Sequence, residues 1–204
     1  EISLIETHAE REEDLFNHVH SWRSIAENSG DTFQILSPFN EGWGSVTEIN
    51  EYFHNRYLDS LDMNSQYFNE PVIVKRNLYD FDLYNGETGF LIQEKGEFFF
   101  CTDDSKVNQK IPKGLLNAFD KAYAITVHKS QGSEYDHICV VIPERKEMKR
   151  SILSKRILYT AITRCRKTLT IIGSVSAIEA SLKNTESERK SNLIQRIRNL
   201  RAYP

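Results

Sequence analysis

From residue 122 to residue 182 the chain alternates short apolar runs of strand length with segments of helical spacing. Residues 122–126, His137-Ile-Cys-Val-Val-Ile142 and Thr168-Leu-Thr-Ile-Ile172 read as strands, while residues 152–164 and a segment opened by Gly173-Ser174 and running to Leu182 read as helices. The run at 137–142 reads as a buried strand. Strands alternating with helices predict an α/β fold: a mainly parallel sheet with helices on both faces. The N-terminal part obeys the same rule. Residues 10–28 place Leu15, Phe16, Val19, Trp22 and Ile25 at three- and four-residue spacing, predicting a helix with those side chains inward. Ser29-Gly-Asp31 ends it, residues 32–36 form a strand stopped by Ser37-Pro38, and a second helix is predicted over 45–58 with Val46, Ile49, Tyr52 and Phe53 inward.

After a polar loop at 59–70 the texture changes. Three short strand-like runs at 71–76, 89–93 and 97–101 are separated by the turn signals Asn85-Gly86 and Glu94-Lys-Gly96. The expected division is therefore 1–69 and 118–204 as two parts of one α/β domain, with a small β unit inserted at 70–117. Phe98, Phe99 and Phe100 in the third run offer rings that could stack on nucleic-acid bases, although strand alternation sends at least one of them into the core. The last segment, 188–201, reads as an amphipathic helix with Leu193, Ile194, Ile197 and Leu200 as its stripe.

A length of 204 residues suffices for one domain with an insertion, and a first residue of Glu1 rather than Met is consistent with a piece of a longer protein. No run of 18 apolar residues and no signal-peptide pattern occurs, so a cytoplasmic location is expected. The three cysteines, Cys101, Cys139 and Cys165, are widely spaced and odd in number, which argues against a disulfide framework; Cys139 reads as a small buried hydrophobe. The net charge of −3 conceals a strong polarity: residues 144–201 hold 15 Lys/Arg against 5 Asp/Glu, and the remainder holds 11 against 24. The basic third can attract a phosphate backbone, which the acidic portion repels. His18 and His20 stand two apart on a helix and face different directions, a poor metal pair. Asp80, Asp82, Asp103 and Asp104 read as exposed loop acids beside turns.

Chemistry concentrates in two stretches. In Ala122-Tyr-Ala-Ile-Thr-Val-His-Lys-Ser-Gln-Gly-Ser-Glu134, the Thr126 hydroxyl, His128 imidazole and Lys129 ammonium on one turn can each bond a phosphate oxygen. His128 can equally be a buried histidine satisfied by a neighbouring carbonyl. Gly132 allows close backbone approach to a ligand, and Glu134 offers an acceptor beside it. In Leu158-Tyr-Thr-Ala-Ile-Thr-Arg-Cys-Arg166, the apolar residues pack one helix face and leave Arg164 near its end. Phosphoryl transfer needs a cation against the developing γ-phosphate charge, and a guanidinium suits it by geometry and permanent charge. Favourable interaction with the helix macrodipole would place an arginine there as well.

Together these stretches resemble motifs V and VI of superfamily 1 DNA helicases, most closely the RecD-like type, the alpha subunit of exodeoxyribonuclease V. Gln34-Ile-Leu-Ser-Pro38 is similar to the family's motif IV region. The resemblance implies a RecA-like fold, the P-loop NTPase-type second motor domain, with an SH3-like β-barrel insertion that helps line the channel for single-stranded DNA. It implies that Arg164 is the arginine finger with Arg166 as a secondary basic position, and that Glu134 with Gly132 meets the nucleotide ribose. It also implies that Thr126, His128 and Lys129 touch the DNA backbone. No GxxxxGK[ST] phosphate loop occurs, so ATP with Mg2+ is expected to be held mainly by an N-terminal motor domain outside this sequence, and the chain alone is expected to be inactive. The family activity is ATP-dependent 5′-to-3′ DNA unwinding in recombination and double-strand-break repair, in some members with the beta and gamma subunits of exodeoxyribonuclease V; its nuclease activity belongs to another subunit. Two alternatives stand beside this: a non-catalytic DNA-binding or assembly module of helicase-like fold, and a superfamily 1 helicase acting on RNA.

Overall fold

The computed structural model describes residues 1–6, 12–61, 67–102, 109–143 and 154–183. The predicted helix at 188–201, Asp103, Asp104 and much of the basic C-terminal third lie outside the described residues. The chain opens with a strand that no sequence signal marked, β1 (Ile2–Glu6), followed by α1 (Glu12–Ser29). On α1, Leu15, Val19 and Ala26 are buried and Phe16 and Trp22 pack beside them. Ile25, expected inward, is 74% exposed. Positions 15, 19, 22 and 26 stay on one stripe of a 3.6-residue helix, whereas Ile25 stands about 100° away from Ala26. Strand β2 (Phe33–Ser37) leads to α2 (Val46–Ser60). Ser45 caps α2 by accepting from Glu48 N, and the Glu48 carboxylate reaches back to Gly44 N at 3.0 Å.

Strands β3 (Tyr67–Val74), β4 (Thr88–Glu94), β5 (Glu97–Cys101), β6 (Gln109–Ile111) and β7 (Phe119–Lys121) follow, then β8 (Ala124–Thr126), β9 (Tyr135–Ile142), α3 (Lys155–Ile162), β10 (Cys165–Gly173) and α4 (Val175–Lys183). The larger layer is a five-stranded sheet in the order β1-β10-β9-β2-β8, parallel throughout. Leu15 and Val19 of α1 and Ile49 and Phe53 of α2 pack on one face against Ile35, Cys139, Val141 and Ile172. On the other face, Ile157, Leu158 and Ala161 of α3 and Ala177 of α4 pack against Leu36, Ile138, Val140 and Leu169. The alternate residues of β9 thus enter two different cores, which explains its unbroken apolar run. Cys139 is fully buried, and burial pushes its thiol pKa up.

The second sheet is antiparallel, in the order β6-β5-β4-β3-β7. The β4–β5 hairpin turns on Lys95 and Gly96 at φ 50° and 80°, left-handed at both central positions, the geometry whose twist matches that of the flanking strands. Phe98 and Phe100 join the core of this sheet with Val72, Leu91, Ile111 and Phe119, while Phe99 lies on the opposite face. Two of the three rings are therefore structural, and no three-ring stacking surface forms. The strand expected at 122–126 is shorter than predicted because the chain changes sheets there. Phe119–Lys121 pairs with β3, Ala122 N donates to Pro71 O at 2.8 Å, and only Ala124–Thr126 joins the parallel sheet.

Candidate nucleotide-facing site

The parallel sheet has two ends, and the candidate residues divide between them. At the end where β9 and β10 begin, Arg164 follows the α3 cap Thr163 and enters β10. Its carbonyl accepts from Tyr135 N at 2.9 Å, tying the starts of the two strands together. Its Nη1 donates to Ser133 O and its Nη2 to Thr163 Oγ1, both at 3.4 Å, while Nε is buried with no partner among the described residues. Five donors held by two long bonds leave capacity for an anion. Arg164 also sits beyond the C-terminus of α3, where a cation is favoured in any case.

Glu134 stands directly before β9 and Arg166 within the start of β10; Arg166 Nε donates to Glu134 Oε2 at 3.1 Å, with both side chains about half exposed. Gly132, at φ +94°, turns the chain into this corner, and its α-carbon faces open space. Gly132, Glu134, Arg164 and Arg166 are thus gathered at one end of the sheet.

A polar network behind this corner had no local sequence signal. Lys167 Nζ lies 2.7 Å from Asp31 Oδ1 and 3.6 Å from Asp136 Oδ1. Thr32 Oγ1 donates to Asp136 Oδ2 at 2.9 Å and accepts from Asp136 N at 3.0 Å, and His137 Nε2 lies 3.0 Å from Asp31 Oδ2. These groups join the starts of β2, β9 and β10. Lys167 and then His137 hold the Asp31 carboxyl below the usual carboxylate range, Thr32 does the same for Asp136, and Asp31 raises the Lys167 ammonium.

Thr126, His128 and Lys129 lie at the opposite end, where β8 finishes beside the end of β2, Thr126 opposite Ser37. Thr126 is buried and its Oγ1 accepts from Lys129 N at 3.2 Å. His128 is exposed, which removes the buried-histidine alternative. Lys129 is exposed as well, with Nζ 3.9 Å from Asp120. The segment 127–134 spans from this end to the arginine corner. Val127 and Ser130 are buried along it, Ser130 Oγ donating to Val127 O at 2.8 Å.

Between the two sheets, next to Glu134, runs an open groove of about 670 Å³ lined by Arg23, Gln34, Gly89, Tyr123 and Ser133 among others. Arg23 lies 4.9–5.2 Å from the ring centroids of Phe33, Phe53 and Tyr123 and pairs with Glu27 at 2.5 Å. Burial lowers the Arg23 pKa and raises that of Tyr123. No helix among the described residues is long and apolar enough to cross a membrane, and no group of three or more potential metal ligands occurs among them.

Residues 121–172 match the sequence pattern of the UvrD-like helicase C-terminal domain. The RecD subunit of the RecBCD enzyme of Buchnera aphidicola subsp. Schizaphis graminum is 33% identical over 183 residues, covering 80% of this chain and 30% of that protein. The ATP-dependent RecD2 DNA helicase of Deinococcus radiodurans is 30% identical over 129 residues, covering 63% of this chain and 18% of that protein. The chain therefore spans less than a third of the length of these curated relatives. The Pif1 helicase from Bacteroides, solved with ADP-AlF3 and ssDNA, shares the fold at a TM-score of 0.50 and 15% identity, over 93% of this chain and 50% of that one. The parallel sheet covered on both faces is thus a RecA-like helicase fold, and the chain carries a RecD-like C-terminal domain of the superfamily 1 helicases.

Proposed function

We propose that this chain is the second motor domain of an ATP-dependent DNA helicase of RecD type. Supporting it is the separation of two charged sites at opposite ends of one sheet, joined by the partly buried segment 127–134. In this reading residues 1–69 and 118–204 form the RecA-like domain and 70–117 a small SH3-like barrel, whose antiparallel sheet also takes in the start of β3 at Tyr67 and the whole of β7 (Phe119–Lys121).

The corner of Gly132, Glu134, Arg164 and Arg166 fits a nucleotide: an under-used guanidinium, an exposed carboxylate and a bare glycine turn stand together. ATP with Mg2+, carried mainly by an N-terminal motor domain, supplies the phosphoanhydride whose hydrolysis drives the motor. Arg164 is placed to offset charge on the γ-phosphate, Glu134 to accept from the ribose hydroxyl, and Arg166 to steady Glu134. At the other end Thr126, His128 and Lys129 grip the backbone of single-stranded DNA without reading its sequence. A shift of the 127–134 segment would transmit closure of the nucleotide cleft to that grip. Translocation from 5′ to 3′, a role in recombination and double-strand-break repair, cytoplasmic location and association with beta and gamma subunits of exodeoxyribonuclease V follow from the RecD likeness.

The test is DNA-stimulated ATP hydrolysis by a protein that joins this domain to its phosphate-loop partner domain, wild type against Arg164→Ala. A loss of about 10³-fold in turnover with ATP affinity retained is expected. Unchanged turnover would reduce Arg164 to a helix-end residue and overturn the proposal.

A further inference from the structure

The segment from residue 75 to residue 87, which joins β3 to β4, is built for display rather than for closing a hairpin. Leu78 and Leu83 are buried in the core of the antiparallel sheet and paired by an antiparallel bridge, Leu78 N donating to Leu83 O at 2.8 Å. The 3-10 turn Tyr79–Phe81 lies between them, and Asp82 holds a left-handed φ of 50°. Asn77 fastens both flanks: its Nδ2 donates to Tyr79 Oη at 2.9 Å and its Oδ1 accepts from Asn85 N at 2.8 Å. Tyr84 N donates to Glu87 Oε2 at 3.0 Å.

On this fastened tip Tyr79 is 73% and Tyr84 52% exposed, their rings 6.5 Å apart and nearly perpendicular at 79°. Asp80 and Asp82 are exposed beside them and form no ion pair among the described residues. The nearest cation in sequence, Arg76, is turned toward Asn117 Oδ1 at 3.4 Å. Two exposed rings on a tip that carries Asp80 and Asp82 offer a phosphate backbone no attraction. They suit a guanidinium or ammonium, which gains from the ring faces and the carboxylates together. The tip is fixed by its own hydrogen bonds, so binding requires little ordering of the backbone that carries the tyrosines.

We infer that the Tyr79–Tyr84 tip is a docking surface for a cationic segment of another polypeptide, rich in arginine or lysine. It lies outside the nucleotide and DNA ends of the parallel sheet and does not depend on the motor reading. The test uses the full chain and two fluorescent probes, a short arginine–glycine repeat peptide and oligo(dT), read by anisotropy. Tyr79→Ala/Tyr84→Ala should weaken peptide binding by about tenfold or more while oligo(dT) binding stays unchanged. Asp80→Asn/Asp82→Asn should weaken it with the rings intact, and Tyr79→Phe/Tyr84→Phe should retain most of it. Peptide binding indifferent to all three changes overturns the inference. A fall in oligo(dT) affinity in the tyrosine variant overturns it in favour of a nucleic-acid platform. Self-association of the wild-type chain that this variant abolishes overturns it in favour of a second copy.

Discussion

Arg166 Nε donates to Glu134 Oε2 at 3.1 Å, joining residues 32 positions apart across the starts of β10 and β9. The acceptor proposed for the ribose is therefore held by Arg166, the secondary basic position, while the buried Nε of Arg164 has no partner among the described residues. An exposed pair of this kind adds little to stability, so its value lies in orientation. In a double-mutant cycle of Glu134→Ala and Arg166→Ala, the coupling in unfolding free energy should stay below about 1 kcal/mol. Nucleotide affinity, measured with the partner motor domain present, should fall in both single variants and little further in the double one. Additive losses in affinity would show that the pair does not act as a unit.

Helix α1 offers a comparison that isolates packing. Leu15 is 2% exposed and Ile25 is 74% exposed on the same helix. Leu15→Ala should cost about 2–5 kcal/mol through lost burial and the cavity left behind. Ile25→Ala should stay within about 0.5 kcal/mol. Denaturant melts of the two variants check this directly, and equal losses would refute the observed rotation of the helix.

Asn50 serves an edge strand. Its Nδ2 donates to Lys121 O at 2.9 Å and Ala124 O at 3.1 Å, and its Oδ1 accepts from Ala124 N at 2.8 Å. It thereby satisfies both backbone groups of Ala124 on the side of β8 that has no neighbouring strand among the described residues, and the carbonyl of Lys121 at the end of β7. Asn50→Leu keeps the branched shape and strands three backbone groups, at about 1–3 kcal/mol for each one that stays dry. The loss should appear in thermal melts and as faster amide exchange at Ala124.

The Asp31–Lys167–Asp136 network gives stability a pH dependence of defined sign. The folded pKa values of Asp31 and Asp136 are depressed, so their contribution is present above the unfolded value of about 3.9 and fades as pH falls through the folded values. Lys167 is raised, so its contribution is complete below about 10.4 and is lost as pH rises through its higher folded value. Because these side chains meet solvent, salt should weaken both effects. Urea melts between neutral and acid pH should show a decline that Asp31→Asn/Asp136→Asn flattens. An unchanged slope in that variant would place the acid sensitivity elsewhere.

Much of the fold was legible because it depends on local periodicity. The unbroken run at 137–142 required a strand covered on both sides, and the structure supplies both covers. Gly96 announced the β4–β5 turn because glycine takes a left-handed backbone without steric cost, while Lys95 is carried into the same region by the hairpin. β1 escaped notice because Ile2 and Leu4 are largely exposed and its place is fixed by pairing with β10, 167 residues along the chain. The Phe98–Phe100 run showed aromatic content, but only the register against β4 and β6 decided which rings are core.

The sequence alone determined the parallel α/β architecture, the inserted β unit and the identity of the chemically capable residues, since periodicity and residue type are local properties. Tertiary structure decided how those residues divide. Gly132, Glu134, Arg164 and Arg166 meet at one end of the sheet and Thr126, His128 and Lys129 at the other, because parallel strands send all their starts one way and all their ends the other. It alone created the Asp31–Lys167–Asp136 network and the Tyr79–Tyr84 tip, whose partners depend on strand register and backbone course and carry no spacing that a sequence pattern can record.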